Sequence, residues 1–182
     1  MDFSIFVTSP QAAAEFFRDL VYGNPWGIII LFLFTIVANA TIFFPIIVEP
    51  VVFVVAAFAP NLGTALLVGI VTGTAAAIGE MSGYLVGMVG VNTLKKMKKG
   101  QVEKTFEIGE KLANKGMSII FIFAFTPLPF DIVGIAAGII RYDLRRFFFA
   151  TWVGKVLRYS LVAVVGFVGM ESIPWLAHLL GM

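Results

Sequence analysis

Phe44-Pro45-Ile46-Ile47-Val48-Glu49-Pro50 and Thr126-Pro127-Leu128-Pro129-Phe130-Asp131 are the two stretches that decide the fold of this chain. Each sets a carboxylate four positions after a proline, inside a long apolar run. Proline withholds a backbone donor and its ring clashes with the preceding turn, so a helix tends to break there. A carboxylate at bilayer depth costs roughly 2.5–3.5 kcal/mol on insertion scales unless it faces a partner or water. Two interrupted, acid-bearing segments in corresponding halves of a chain are the sequence mark of a transporter-type binding site. Pro45, Pro50, Pro127 and Pro129 are therefore the expected hairpin breaks, and Glu49 and Asp131 the expected polar tips.

Composition puts these stretches in a membrane. Across 182 residues, 59% are hydrophobic and 13% charged, and the mean hydropathy is +0.96. Soluble domains are about half apolar and a quarter charged. The length suits one membrane domain. With no cysteine, disulfides, thiolate metal sites and cysteine nucleophiles are excluded, and the single histidine, His178, stands near the C-terminal end. No metal, cofactor or enzymatic chemistry is expected, and a net charge of +2 is too small to imply nucleic acid. Asp2, Glu15, Arg18 and Asp19 precede the first long apolar run, so no cleavable signal peptide is expected.

Outward from the two motifs, the fold expected is an all-α integral membrane protein. Residues 1–24 read as an amphipathic N-terminal helix, with Ser9-Pro10 as its start and Phe16, Phe17 and Leu20 opposite Glu15, Arg18 and Asp19. Trp26 to Phe44 is apolar except for Thr35, Asn39 and Thr41, approaching the ~20 residues of a span. Pro45 to Pro60 then reads as a re-entrant hairpin, tolerable at membrane depth only when buried or lining a wet cavity. Leu62 to Val91 is a span whose Gly69, Gly73, Gly79, Gly83 and Gly87 let helices approach closely. Residues 92–116 form a basic loop, and the lysines within 95–115 place it in the cytoplasm of a multi-pass protein of the cell (plasma) membrane. Residues 117–140 read as a second hairpin, Phe147 to Val168 as the last span, and 172–182 as a short closing helix. Tracing sides makes the two hairpins dip from opposite faces, an inverted-repeat arrangement.

Charge inside the membrane gives the candidate site. Lys155 and Arg158 stand nine and twelve residues beyond Arg146, roughly 13 and 18 Å into the bilayer at helical rise. They share a helix face. Glu49, Glu80 and Asp131 are their expected partners in a midplane cluster, with Arg141 joining from the cytoplasmic edge. Such pairs either hold two broken hairpins in register or bind an anionic headgroup, with carboxylates that exchange protons or compete for the cations.

These residues resemble the DedA family, the VTT-domain or SNARE-associated Golgi protein superfamily, over about residues 39–167. The likeness rests on Pro45…Glu49, Gly79-Glu80-x-x-Gly83-Tyr84-x-x-Gly87, Thr126-Pro127-Leu128-Pro129-Phe130-Asp131…Gly134…Gly138…Arg141 and Gly154-Lys155-x-x-Arg158-Tyr159. Ala124 and Phe130 stand where many bacterial members carry arginine, so the Thr-Pro-Leu-Pro-Phe-Asp form looks like a separate branch. The resemblance implies two facing re-entrant helices and a role in flipping or scrambling lipids, with a dependence on the proton gradient in some branches. By motif position it assigns the essential acids and arginines to Glu49, Asp131, Arg141 and Arg158.

The function expected is a transporter or scramblase for an anionic phospholipid or polyprenyl-phosphate lipid, with proton coupling open. Its partners would be membrane lipids with anionic headgroups, and a homo-oligomer is compatible with the sequence. The alternatives are a non-transporting membrane-organisation protein with a structural charge cluster, and a small-ion or proton antiporter.

Overall fold

The computed structural model describes residues 10–41, 45–89 and 115–172. Among them the chain forms seven helices and no strand. These are α1 Pro10–Tyr22, α2 Gly27–Asn39, α3 Pro45–Ala57, α4 Leu62–Val89, α5 Lys115–Phe125, α6 Phe130–Ile139 and α7 Leu144–Ser172. The expected basic loop 92–116 lies outside the described residues except for Lys115 and Gly116. So do residues 1–9 of the N-terminal segment and, beyond Ser172, the expected closing helix.

Among the described residues two helices are long and apolar enough to cross a membrane, α4 with 28 residues and Leu144–Gly169 of α7 with 26. The bent pair Glu15–Tyr22 and Gly27–Asn39, at 115°, makes a third if taken as one span. Among the described residues, the span expected from Trp26 to Phe44 is helical over Gly27–Asn39. Helix α2 has 13 residues, about 20 Å at helical rise, short of the ~30 Å hydrocarbon thickness.

That shortness moves the first hairpin. Residues 45–57 are one helix, not two limbs: Pro45 opens α3, and Pro50 sits inside it without ending it. Proline's fixed φ suits a first helical turn, and Pro50 removes only the one hydrogen bond its N–H would have made to the Ile46 carbonyl. Tyr22, before α2, donates its hydroxyl to the Val55 carbonyl late in α3 at 2.8 Å. The chain thus leaves and returns at one end, with α2 and α3 as the limbs and the turn between Asn39 and Pro45.

The expected second hairpin, 117–140, corresponds to α5 and α6. Pro127 and Pro129 both fall in the four-residue break between them. Gly116 lies so close to the Tyr142 ring that a side chain there would overlap it, so this hairpin also opens and closes at one end. Each hairpin hands the chain to a long helix through the same device. Asn61 Oδ1 accepts the Thr64 N–H at 2.9 Å ahead of α4, and Asp143 Oδ1 accepts the Arg146 N–H at 2.8 Å ahead of α7.

Glycine sets the packing of the long helices. A Cβ added at Gly69 would lie 2.6 Å from Ser160 Cα, and one at Gly73 2.5 Å from Val156 Cα. Residue numbers fall along α7 as they rise along α4, so the two helices run antiparallel in backbone contact. Farther along α4, Gly79 seats α2 at the Ile36 carbonyl, and Gly87 seats α6 at Ile135. Small residues at four-residue spacing are what make these approaches attainable in lipid.

The apolar interior is divided in two. One cluster joins α2 and α3 to Ala65, Val68 and Ala76 of α4 and to Tyr159 and Ala163 of α7. The other joins α5 and α6 to Tyr84 of α4 and to Phe147 and Ala150 of α7. Glu80 and Lys155 lie on the stretches of α4 and α7 between the two clusters. The charged layer is thus the joint between two half-cores.

Candidate functional site

At that joint a cavity of about 330 Å³ opens. Glu49 of α3, Glu80 of α4, the break Pro127–Pro129 with Phe130 and Asp131 of α6, and Lys155, Arg158 and Tyr159 of α7 line it. Five of the six charged side chains expected to converge are here, and they bring three carboxylates to two cations. Arg141 is the exception.

The two cations are held differently. Lys155 Nζ meets Glu80 Oε1 at 2.6 Å, with both side chains buried at 5% and 3% exposure. The same ammonium lies 5.2 Å from the centre of the Phe130 ring, a cation–π contact that closes its other side. Arg158 pairs with Glu49 through its Nη2, and through Nη1 it donates to the Thr126 carbonyl at 2.6 Å. This second pair is more open, at 16% and 33% exposure. Lys155 is therefore pinned into the wall, whereas Arg158 lines the cavity with a more exposed partner.

The helix break supplies the Thr126 acceptor. In an unbroken helix that carbonyl would accept from Phe130, but Phe130 begins a new helix after Pro129, which is extended at φ −65° and ψ 99°. The break frees a carbonyl, and Arg158 takes it. Asp131 stands in the first turn of α6, where the helix N-terminus favours a negative charge. Among the described residues no ion-pair partner reaches it.

Arg141 lies in the turn after α6 and does not line the cavity. Its φ of 52° is left-handed. The Tyr142 N–H bonds back to the Ala137 carbonyl at 2.9 Å and the Arg141 N–H to the Gly138 carbonyl at 3.1 Å. This is the helix-ending motif that glycine usually occupies. The residue terminates α6 and carries a cation beyond its C-terminus, a favourable place for positive charge. Of the six charged residues expected to converge, Arg141 is the one outside the cavity lining.

Three contributors escaped the sequence reading as site residues. Thr126 acts through its backbone, which no side-chain pattern reports. Tyr159 is buried beside Arg158 and lines the cavity. Asn39 adjoins the Tyr159 hydroxyl and donates to the Thr35 carbonyl at 3.0 Å, while its buried Oδ1 has no partner among the described residues. The available signal was a buried-type amide within an otherwise apolar helix.

An all-helical membrane domain whose two helical hairpins bring paired charges to one polar cavity is the class of protein these features define. Within that class, the family model of the VTT domain matches residues 44–168, well over half of the chain, and the chain belongs to this family. Comparisons with curated proteins and with solved structures returned no match.

Proposed function

We propose that this protein moves an anionic lipid across the bilayer, with the headgroup passing through the charged cavity. The observation that carries the reading is the partly exposed Arg158–Glu49 pair lining a 330 Å³ cavity between two helical hairpins. A phosphate-bearing headgroup competes with the Glu49 carboxylate for the guanidinium, whose planar fork suits either anion. The enclosed Lys155–Glu80 pair holds α7 to α4 and supplies background charge. On this reading the two hairpins are re-entrant and related as an inverted repeat, which the antiparallel packing of α4 and α7 supports. The membrane is the plasma membrane, with loop 95–115 on the cytoplasmic side, and the protein is a transporter or scramblase, not an enzyme.

Asp131, the third carboxylate, favours a coupled form of the same reading. With two cations already paired, it leaves the cavity one negative charge in excess when all five groups are ionised. A proton or small cation balances that charge when the headgroup leaves.

The test is transbilayer movement of fluorescent phosphatidylglycerol and phosphatidylcholine in vesicles containing the purified chain. The expected result is protein-dependent movement that favours the anionic lipid and is lost in folded Arg158→Gln. Equal movement of both lipids with and without protein contradicts the proposal.

A further inference from the structure

A second concavity lies on the outer seam between α5 and α7. It encloses about 450 Å³, and Met117, Phe121 and Ile122 of α5 face Phe149, Ala150 and Val153 of α7 across it. Apart from Ser118 on its rim, every lining side chain is apolar. Met117, Ile122 and Phe149 are exposed, so the groove is open to the surroundings of the helices. Leu144–Gly169 of α7 is long and apolar enough to cross a membrane, and on that reading the groove faces hydrocarbon.

The groove and the charged cavity share their two walls. Past the groove, α5 ends at Phe125 and runs into the break that lines the cavity, while Val153 of α7 is followed within five residues by Lys155 and Arg158. Between the two concavities the helices touch at Gly154, where an added Cβ would lie 2.7 Å from Ala124 Cβ and 3.0 Å from the Phe121 carbonyl. That contact divides them on the inner side. On the outer side, exposed Phe125, Leu128 and Leu157 continue the apolar surface, and Leu128 also lines the cavity. A polar pocket that opens at an exposed leucine onto an apolar groove has the layout of an amphiphile.

We propose that the groove seats an acyl chain of the same lipid whose phosphate-bearing headgroup binds Arg158, making cavity and groove one amphipathic site on the α5–α7 seam. The inference rests on the transport reading for the identity of the headgroup. It adds that an acyl chain of that lipid lies on this seam and not on the other lipid-facing surfaces of α4 and α7.

The experiment uses the full chain in phosphatidylcholine vesicles containing phosphatidylglycerol with a diazirine at the end of one acyl chain. After irradiation, adducts are expected to concentrate on peptides carrying residues 117–122 and 149–153. Arg158→Gln should lower this labelling about tenfold, the loss of one charge-assisted pair of hydrogen bonds, while labelling elsewhere is unchanged. Ser118→Trp, which fills the groove from its exposed rim, should lower it similarly, and Leu161→Trp, exposed on α7 away from the groove, should not. Should Arg158→Gln fail to fold, the comparison of Ser118→Trp with Leu161→Trp decides alone. Labelling spread evenly over the lipid-facing helices, or groove labelling unmoved by folded Arg158→Gln or by Ser118→Trp, overturns the inference. Arg158-dependent groove labelling in a protein that moves no lipid keeps the site and removes transport. Lipid movement without groove labelling keeps transport and removes the site.

Discussion

Two charged pairs separated by one helical turn of α7 have opposite characters. Lys155 and Glu80 are enclosed, so removing one partner strands a buried charge, whereas removing both leaves an apolar wall. Lys155→Met alone is expected to lower stability by about 3–5 kcal/mol, and Lys155→Met combined with Glu80→Leu to restore most of it. Unfolding in detergent micelles, followed by circular dichroism, checks this. A double variant no more stable than the single one contradicts the structural role. Arg141 makes a different prediction. Its left-handed backbone costs a side-chain-bearing residue about 1 kcal/mol that glycine does not incur. Arg141→Gly is therefore expected to hold or slightly raise the unfolding midpoint, and Arg141→Val to lower it. At this scale the sequence was informative about which charges converge, because an ionisable residue in an apolar run stands out whatever the backbone does. It was silent on Thr126, whose contribution is a carbonyl freed by its neighbours, and on the helix-ending backbone of Arg141.

Among the elements, proline position decides how a helix is interrupted. Pro127 and Pro129 flank a break, whereas Pro50 is carried inside α3. Pro50→Ala restores a helical hydrogen bond and is expected to stabilise α3 without loss of lipid movement. Pro127→Ala lets α5 continue, turns the Thr126 carbonyl away from Arg158, and is expected to reduce movement. Parallel stability and flux measurements on the two variants distinguish them, and equal effects contradict the account. Glycine is as decisive as proline here. With Val156 Cα only 2.5 Å from a Cβ at Gly73, the neighbour is backbone and cannot yield. Gly73→Val is expected to cost at least about 3 kcal/mol, the upper end of overpacking penalties, measured by the same unfolding assay. The existence of two hairpins and two long helices was legible from apolar runs and prolines. The place of the first hairpin was not, because one proline pattern fits both a break and a helix that begins with proline. Only the short reach of α2 and the Tyr22–Val55 contact distinguish them.

For the molecule as a whole, the division into two apolar clusters joined by α4 and α7 explains why the charges can exist. They occupy the one layer that neither half-core fills, and that layer opens as the cavity. The same plan gives each half a hairpin, an Asx-capped long helix and one cavity-lining acidic residue on the second limb of the hairpin, Glu49 or Asp131. The VTT-domain match, residues 44–168, covers α3 to α6 and most of α7, and leaves out α1 and α2. The central claim is that Arg158, opposed by Glu49, is the group the lipid headgroup engages, and that Arg141 is not. The most direct measurement is the rate of phosphatidylglycerol movement in vesicles carrying equal amounts of folded wild type, Arg158→Gln, Glu49→Gln and Arg141→Gly. The account predicts that movement falls to the protein-free rate in Arg158→Gln, changes in Glu49→Gln and persists in Arg141→Gly. Wild-type movement in Arg158→Gln, or its loss in Arg141→Gly alone, would contradict it.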